Sequence, residues 1–141
     1  MGLDLEIHRG LLLVGDLTTH QAESLGIWVA KHKGLGWIIT IDNEYDNEYH
    51  IDITPKKYLR GDVETYMKEL IAFLKRCKKY NLTYEGTMTY RVSWGDYEDG
   101  VIFVSSKKNK AYYVSIDVFS GKIKKVKLPW HTKPKSKKQS R

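Results

Sequence analysis

Apolar and polar positions along this 141-residue chain repeat with two different periods. Residues 3–8 alternate strictly, with Leu3, Leu5 and Ile7 on one side and Asp4, Glu6 and His8 on the other, the signature of a half-buried strand. Arg9-Gly10 then reads as a short turn and residues 11–14 as an answering strand, so an N-terminal hairpin is expected. Thr18-Thr19-His20-Gln21 has the capping-box form, and Ala22, Leu25, Trp28 and Val29 follow at helical spacing. Lys31, His32 and Lys33 suit the negative end of that helix, and Gly34 supplies its stop. Residues 37–41 form an aromatic and β-branched strand. Residues 42–49 make a polar, acidic connection, and residues 50–54 make a strand that Pro55 ends.

A second helix starts at Asp62, a good N-cap, and its stripe Val63, Met67, Leu70, Leu74 and Cys77 steps by four and three residues. Acids sit toward its start and Lys75, Arg76, Lys78 and Lys79 crowd its end, with Asn81 suited to a left-handed cap. The period becomes two from Leu82. Leu82, Tyr84, Gly86, Met88, Tyr90, Val92 and Trp94 fall on one face of a long strand, bent or bulged at Gly86. A turn at 95–100, a strand at 101–105, a turn at 107–110 and a hairpin of 111–119 with 122–127 across Ser120-Gly121 complete a four-stranded antiparallel meander. The order ββαββαββββ has too few helices for a parallel sheet, so the expected class is α+β with mainly antiparallel sheet. Residues 1–128 form a single domain in this reading, and residues 129–141, proline-bearing and charged, a flexible tail.

Charge alters this picture by its location. Lys122, Lys124, Lys125, Lys127, Lys133, Lys135, Lys137, Lys138 and Arg141 are nine of the 24 basic residues, and none of the 17 acidic residues lies among them. The chain is formally +7, so residues 1–121 carry −2 and the basic character belongs to one end. A stretch of this kind can neutralise phosphates, and Trp130 with Tyr112 or Tyr113 could stack on exposed bases. Alternation lets only one of those two tyrosines face outward. The single cysteine, Cys77, rules out an intramolecular disulfide and fits a reducing cytoplasm. The acidic opening lacks the apolar run of a signal peptide, Glu6 stands where myristoylation wants Ser or Thr, and no segment suits a membrane.

Specific chemistry is not signalled. The acidic stretch 42–48 fails the calcium-loop pattern, because Asn47 and Ile53 occupy the positions that require Gly and Glu. Asp96, Glu98 and Asp99 could hold the magnesium of a nuclease, without the supporting spacing such a site uses. The five histidines (8, 20, 32, 50 and 131) form no metal-binding spacing, and Cys77 lies on the buried stripe. No phosphate loop, dinucleotide fingerprint or nucleophile elbow occurs. Neither a catalytic residue, a metal ligand nor a cofactor is therefore assigned.

Leu3-Asp4-Leu5-Glu6-Ile7 with Gly10, then Asp16-Leu17-Thr18 and Gln21 entering a helix, resembles the start of small uncharacterised bacteriophage proteins. The later run Tyr84-Glu85-Gly86-Thr87-Met88-Thr89-Tyr90, with an acidic turn ending Asp99-Gly100 and the strand Val101-Ile102-Phe103-Val104, is similar to them too. It departs at Tyr90, where those proteins often have Trp, and in a longer turn. The resemblance spans about half of the chain and implies a mobile-element origin without an activity. The expectation is a non-enzymatic accessory protein that binds nucleic acid or a host nucleoprotein through its basic end. The alternatives are an inhibitor that docks on a host protein through acidic loops and, third, a metal-dependent nuclease.

Overall fold

The computed structural model describes residues 4–32, 35–45, 48–57, 59–93 and 97–128. Strand β1 (Asp4–His8) and strand β2 (Leu11–Asp16) lead to helix α1 (Thr19–Lys31). Strands β3 (Trp37–Tyr45), β4 (Glu48–Pro55) and the short β5 (Leu59–Arg60) precede helix α2 (Val63–Cys77). Strands β6 (Asn81–Thr83), β7 (Glu85–Val92), β8 (Glu98–Ser105), β9 (Lys110–Asp117) and β10 (Ile123–Lys127) follow. All pairing is antiparallel, in a six-stranded sheet ordered β10-β9-β8-β7-β1-β5 and a four-stranded sheet ordered β3-β4-β2-β6. The fold is α+β, as the element pattern implies.

The N-terminal hairpin does not form. β1 pairs with β7 and β5, whereas β2 pairs with β4 and β6 in the other sheet. Arg9-Gly10 is the crossing point: Arg9 takes a left-handed φ of 75°, and a side chain at Gly10 would run into the Ile53 carbonyl on β4. The long strand also divides. β6 belongs to the sheet of β2 and β7 to the sheet of β1, with the break at Tyr84, two residues before Gly86. Ser106 holds this switch: Tyr84 N–H donates to Ser106 Oγ at 2.9 Å, and Ser106 N–H returns a bond to the Tyr84 carbonyl at 2.9 Å.

Three smaller expectations are also corrected. The acidic connection is largely strand, since β3 runs on to Tyr45 and β4 begins at Glu48, with a bulge between Asn43 and Tyr45. Asn81 opens β6 and lacks a positive φ, because α2 ends on the right-handed Lys78 instead. Gly100 is a strand residue of β8 rather than the end of a turn.

The helices follow their local signals. Thr18 Oγ1 accepts from Gln21 N–H at 3.1 Å and Thr18 N–H donates to Gln21 Oε1 at 3.0 Å, completing the capping box. Asp62 caps α2 through Thr65 N–H at 3.0 Å and Thr65 Oγ1 at 2.7 Å, which holds its carboxyl below the usual range. The stripe Val63, Met67, Leu70, Leu74 and Cys77 is buried, and so are Ile71 and Phe73, so α2 is apolar on a wider arc than five positions suggest. Trp28 of α1 lies 5.6 Å from the Phe73 ring. Trp37 Nε1 donates to the Tyr66 carbonyl at 2.8 Å, tying β3 to α2. The inner faces of both sheets and the helix stripes share one core cluster. Leu3, Lys33, Gly34, Trp94 and the tail lie outside the described residues.

Candidate nucleic-acid interface

Residues directly opposite one another in an antiparallel ladder share a face. This rule divides the six-stranded sheet cleanly. Tyr113, Ile102, Met88, Tyr90, Leu5 and Ile7 point inward and are buried. Tyr112, Phe103, Val101, Thr87, Thr89 and His8 point outward. Alternation thus separates the two adjacent tyrosines: Tyr113 is core, pushed up to about 12 mainly by burial, and Tyr112 faces solvent half-buried.

Tyr112 and Phe103 are register partners on β9 and β8, their ring centroids 5.4 Å apart. Lysines surround this pair. Lys125 Nζ sits 4.3 Å from the Tyr112 centroid and Lys108 Nζ 5.7 Å from that of Phe103, both within cation–π range. Lys127 stands opposite Tyr112 in the β10–β9 ladder, and exposed Lys110 lies two residues before Tyr112 on the same side. One acid, Glu85, borders the pair and accepts from Ser105 Oγ at 2.8 Å.

The basic positions expected from the sequence divide as follows. Lys124, Lys125 and Lys127 are exposed on β10, the edge strand of the sheet. Lys125 and Lys127 face outward with Tyr112, while Lys124 is on the side of Val126 and opposite Ser115. Lys122 precedes the strand, in the turn where Gly121 takes a φ of 74°. Trp130, Lys133, Lys135, Lys137, Lys138 and Arg141 lie outside the described residues. Phe103, Lys108 and Lys110 were not singled out from the sequence. Phe103 reads there as one residue of an apolar strand, and the two lysines as turn residues. The available signal was the alternation that pairs Phe103 with Tyr112 once β8 and β9 are aligned.

The acidic candidates are occupied by neighbours. Glu98 and Asp99, adjacent on β8, point to opposite faces. Glu98 accepts from the Tyr90 hydroxyl on the inner side, and Asp99 pairs with Arg91 at 2.9 Å on the outer side. Asp96 lies outside the described residues, as do Asp46 and Asn47 of the other acidic stretch. Among the described residues no three His, Cys, Asp or Glu side chains converge as metal ligands. Cys77 is buried, which pushes its thiol up to about 12 and leaves it a poor nucleophile. No described helix is long and apolar enough to cross a membrane.

The fold and this face define an α+β protein presenting an aromatic and lysine-lined sheet surface. No protein-family model, curated protein or solved structure matches the chain.

Proposed function

We propose that this protein is a non-enzymatic nucleic-acid-binding protein, an accessory factor of the mobile-element kind that its sequence resembles. It would engage its ligand through the lysines of β10 and the basic segment that follows. The observation that carries this reading is the placement of Lys125 and Lys127, on the edge strand of the sheet, around an outward-facing aromatic pair. Such a surface offers phosphate contacts and ring faces together. Residues 129–141 add five of the nine C-terminal cations and Trp130.

The test is a salt titration of nucleic-acid binding. Truncation after Leu128 is expected to flatten the dependence of affinity on salt. Adding Lys125→Gln and Lys127→Gln should remove most of what remains, each lost phosphate contact lowering the slope by about one unit. Binding unchanged by truncation and double substitution together would sink the proposal.

A second reading, docking on a host protein, has its own support. Ile116 (40% exposed), Ile123 (70%), Val118 (52%) and Phe119 (79%) cluster at the other end of β9 and β10. An apolar group of this sort marks interaction surfaces. A single protein retained by the chain after nuclease treatment and high salt would favour it.

A further inference from the structure

The outer face of the six-stranded sheet does not stop at the aromatic pair. In register, Lys125, Val114, Val101, Thr89 and His8 form one row from β10 to β1. Lys127, Tyr112, Phe103 and Thr87 form the neighbouring row. The first row reaches β1 at His8, next to Arg9, the second ends at Thr87 on β7, and neither row holds an acidic side chain. Among the described side chains, the acids of this face lie to the sides. Asp99 and Glu6 sit in the row of Arg91, which pairs with Asp99, and Glu85 is bonded to Ser105 beyond the aromatic row.

At β1 the first row meets, at His8, a cleft of about 740 Å³, inside the size range of ligand sites. Its floor is apolar, with Leu5, Ile7 and Leu59 buried. Among the described residues its rim carries Arg9, Lys56, Lys57 and Arg60 with the acid Glu6, and Arg60 lies opposite Asp4 in the β1–β5 ladder. The cleft opens where β5 stops pairing. β5 covers β1 only at Asp4 and Leu5, so residues 6–8 have no described strand on that side. Four strand spacings separate β10 from β1, about 19 Å at the usual inter-strand distance.

We infer that the ligand is a single strand of nucleic acid that crosses this sheet face, stacks bases on Phe103 and Tyr112, and delivers its phosphates to the cationic cleft at Arg9, Lys56, Lys57 and Arg60. This rests on the nucleic-acid reading above and specifies its substrate. Rings lying on an open sheet can stack only on unpaired bases, because a duplex keeps its base faces inside. Between the rings and the cleft, the outward residues of β7 are the small, polar, exposed Thr87 and Thr89. Cations at both ends and an aromatic pair near one end are the elements of a stacking platform with an electrostatic guide.

The test uses the full chain with a fluorescently labelled homopyrimidine strand of about 12 nucleotides, as DNA and as RNA, and with the same sequence in duplex form. The single strand, in at least one of the two sugars, is expected to bind more tightly than the duplex at equal salt. Phe103→Leu and Tyr112→Leu, which keep apolar volume, should each weaken single-strand binding about tenfold while leaving duplex binding near the parent value. Arg9→Asn, which suits the left-handed backbone there, combined with Lys57→Gln should weaken the 12-mer and spare a strand of about 4 nucleotides. Equal affinity for duplex and single strand, with no effect of the ring substitutions, would overturn the inference and leave general nucleic-acid binding standing. An equal loss on both strand lengths would remove the cleft from the path. Absence of binding to every probe would overturn the parent reading itself. Circular dichroism of each variant confirms that the fold is intact.

Discussion

Gly100 shows how single positions in this sheet are fixed by what lies above them. A Cβ there would fall within the Tyr90 ring, whose hydroxyl donates to Glu98. Burial, reinforced by Glu98, pushes the Tyr90 hydroxyl well above its ordinary value. Gly100→Ala must displace that ring, and overpacking of this kind costs about 1–3 kcal/mol. Urea unfolding should show this loss with an unchanged m-value, and Tyr90→Leu should reduce it in a double-mutant cycle. From the sequence, Asp99-Gly100 is a turn signal, because an acid followed by glycine is common in turns. The partner that gives this glycine its role comes from the facing strand β7 and leaves no local mark. Tyr112 and Tyr113 are the opposite case. Their adjacency forces them to opposite faces, so that half of the site could be read directly.

Elements here were legible where their signals are local. Both helices begin at the residues their caps specify, and the buried stripe of α2 contains the five expected positions. The meander β7–β10 also follows the period-two pattern and its turn residues, Asn109 and Gly121, both with positive φ. Assignment of strands to sheets was not legible. β1 and β2 alternate as hairpin strands would, yet a two-residue link with Arg9 left-handed sends them to different sheets. The same applies to the continuous alternation from Leu82 to Val92, which breaks at Tyr84 because that strand serves both sheets. Ser106 is the brace of this break, accepting from Tyr84 N–H and donating to its carbonyl at 3.0 Å. Ser106→Ala removes that acceptor from a part-buried amide and should cost about 1–3 kcal/mol. Native-state hydrogen exchange should show the Tyr84 amide losing protection before the amides of central β8.

Across the whole molecule, burial of ionisable groups sets the response to alkali. Cys77 is raised from 9.0 to about 12 by burial, and Tyr84 and Tyr90 are raised above 10.0 for the same leading reason. In each the folded value exceeds the unfolded one. Their neutral forms therefore favour the fold fully below the unfolded values, and that contribution is lost as pH rises from about 9 toward the folded values. The melting temperature should hold near neutrality and fall above pH 9, and Cys77→Ala should move the onset toward pH 10, where the tyrosines begin. A thiol reagent should modify Cys77 only as the chain opens, at a rate that follows unfolding in denaturant.

The sequence alone determined the class of fold, the two helices with their caps, the antiparallel C-terminal meander and the concentration of charge in residues 122–141. These depend on period, capping chemistry and composition, which act over a few residues at a time. Tertiary structure decided which sheet each N-terminal strand joins, where the long strand breaks and which side chains share the outer face. Phe103, Lys125 and the cations of the β1 cleft stand far apart in sequence, and only strand pairing brings them together on one sheet. Long-range register governs that pairing, and it is selected by the burial of the common core rather than by any local run of residues.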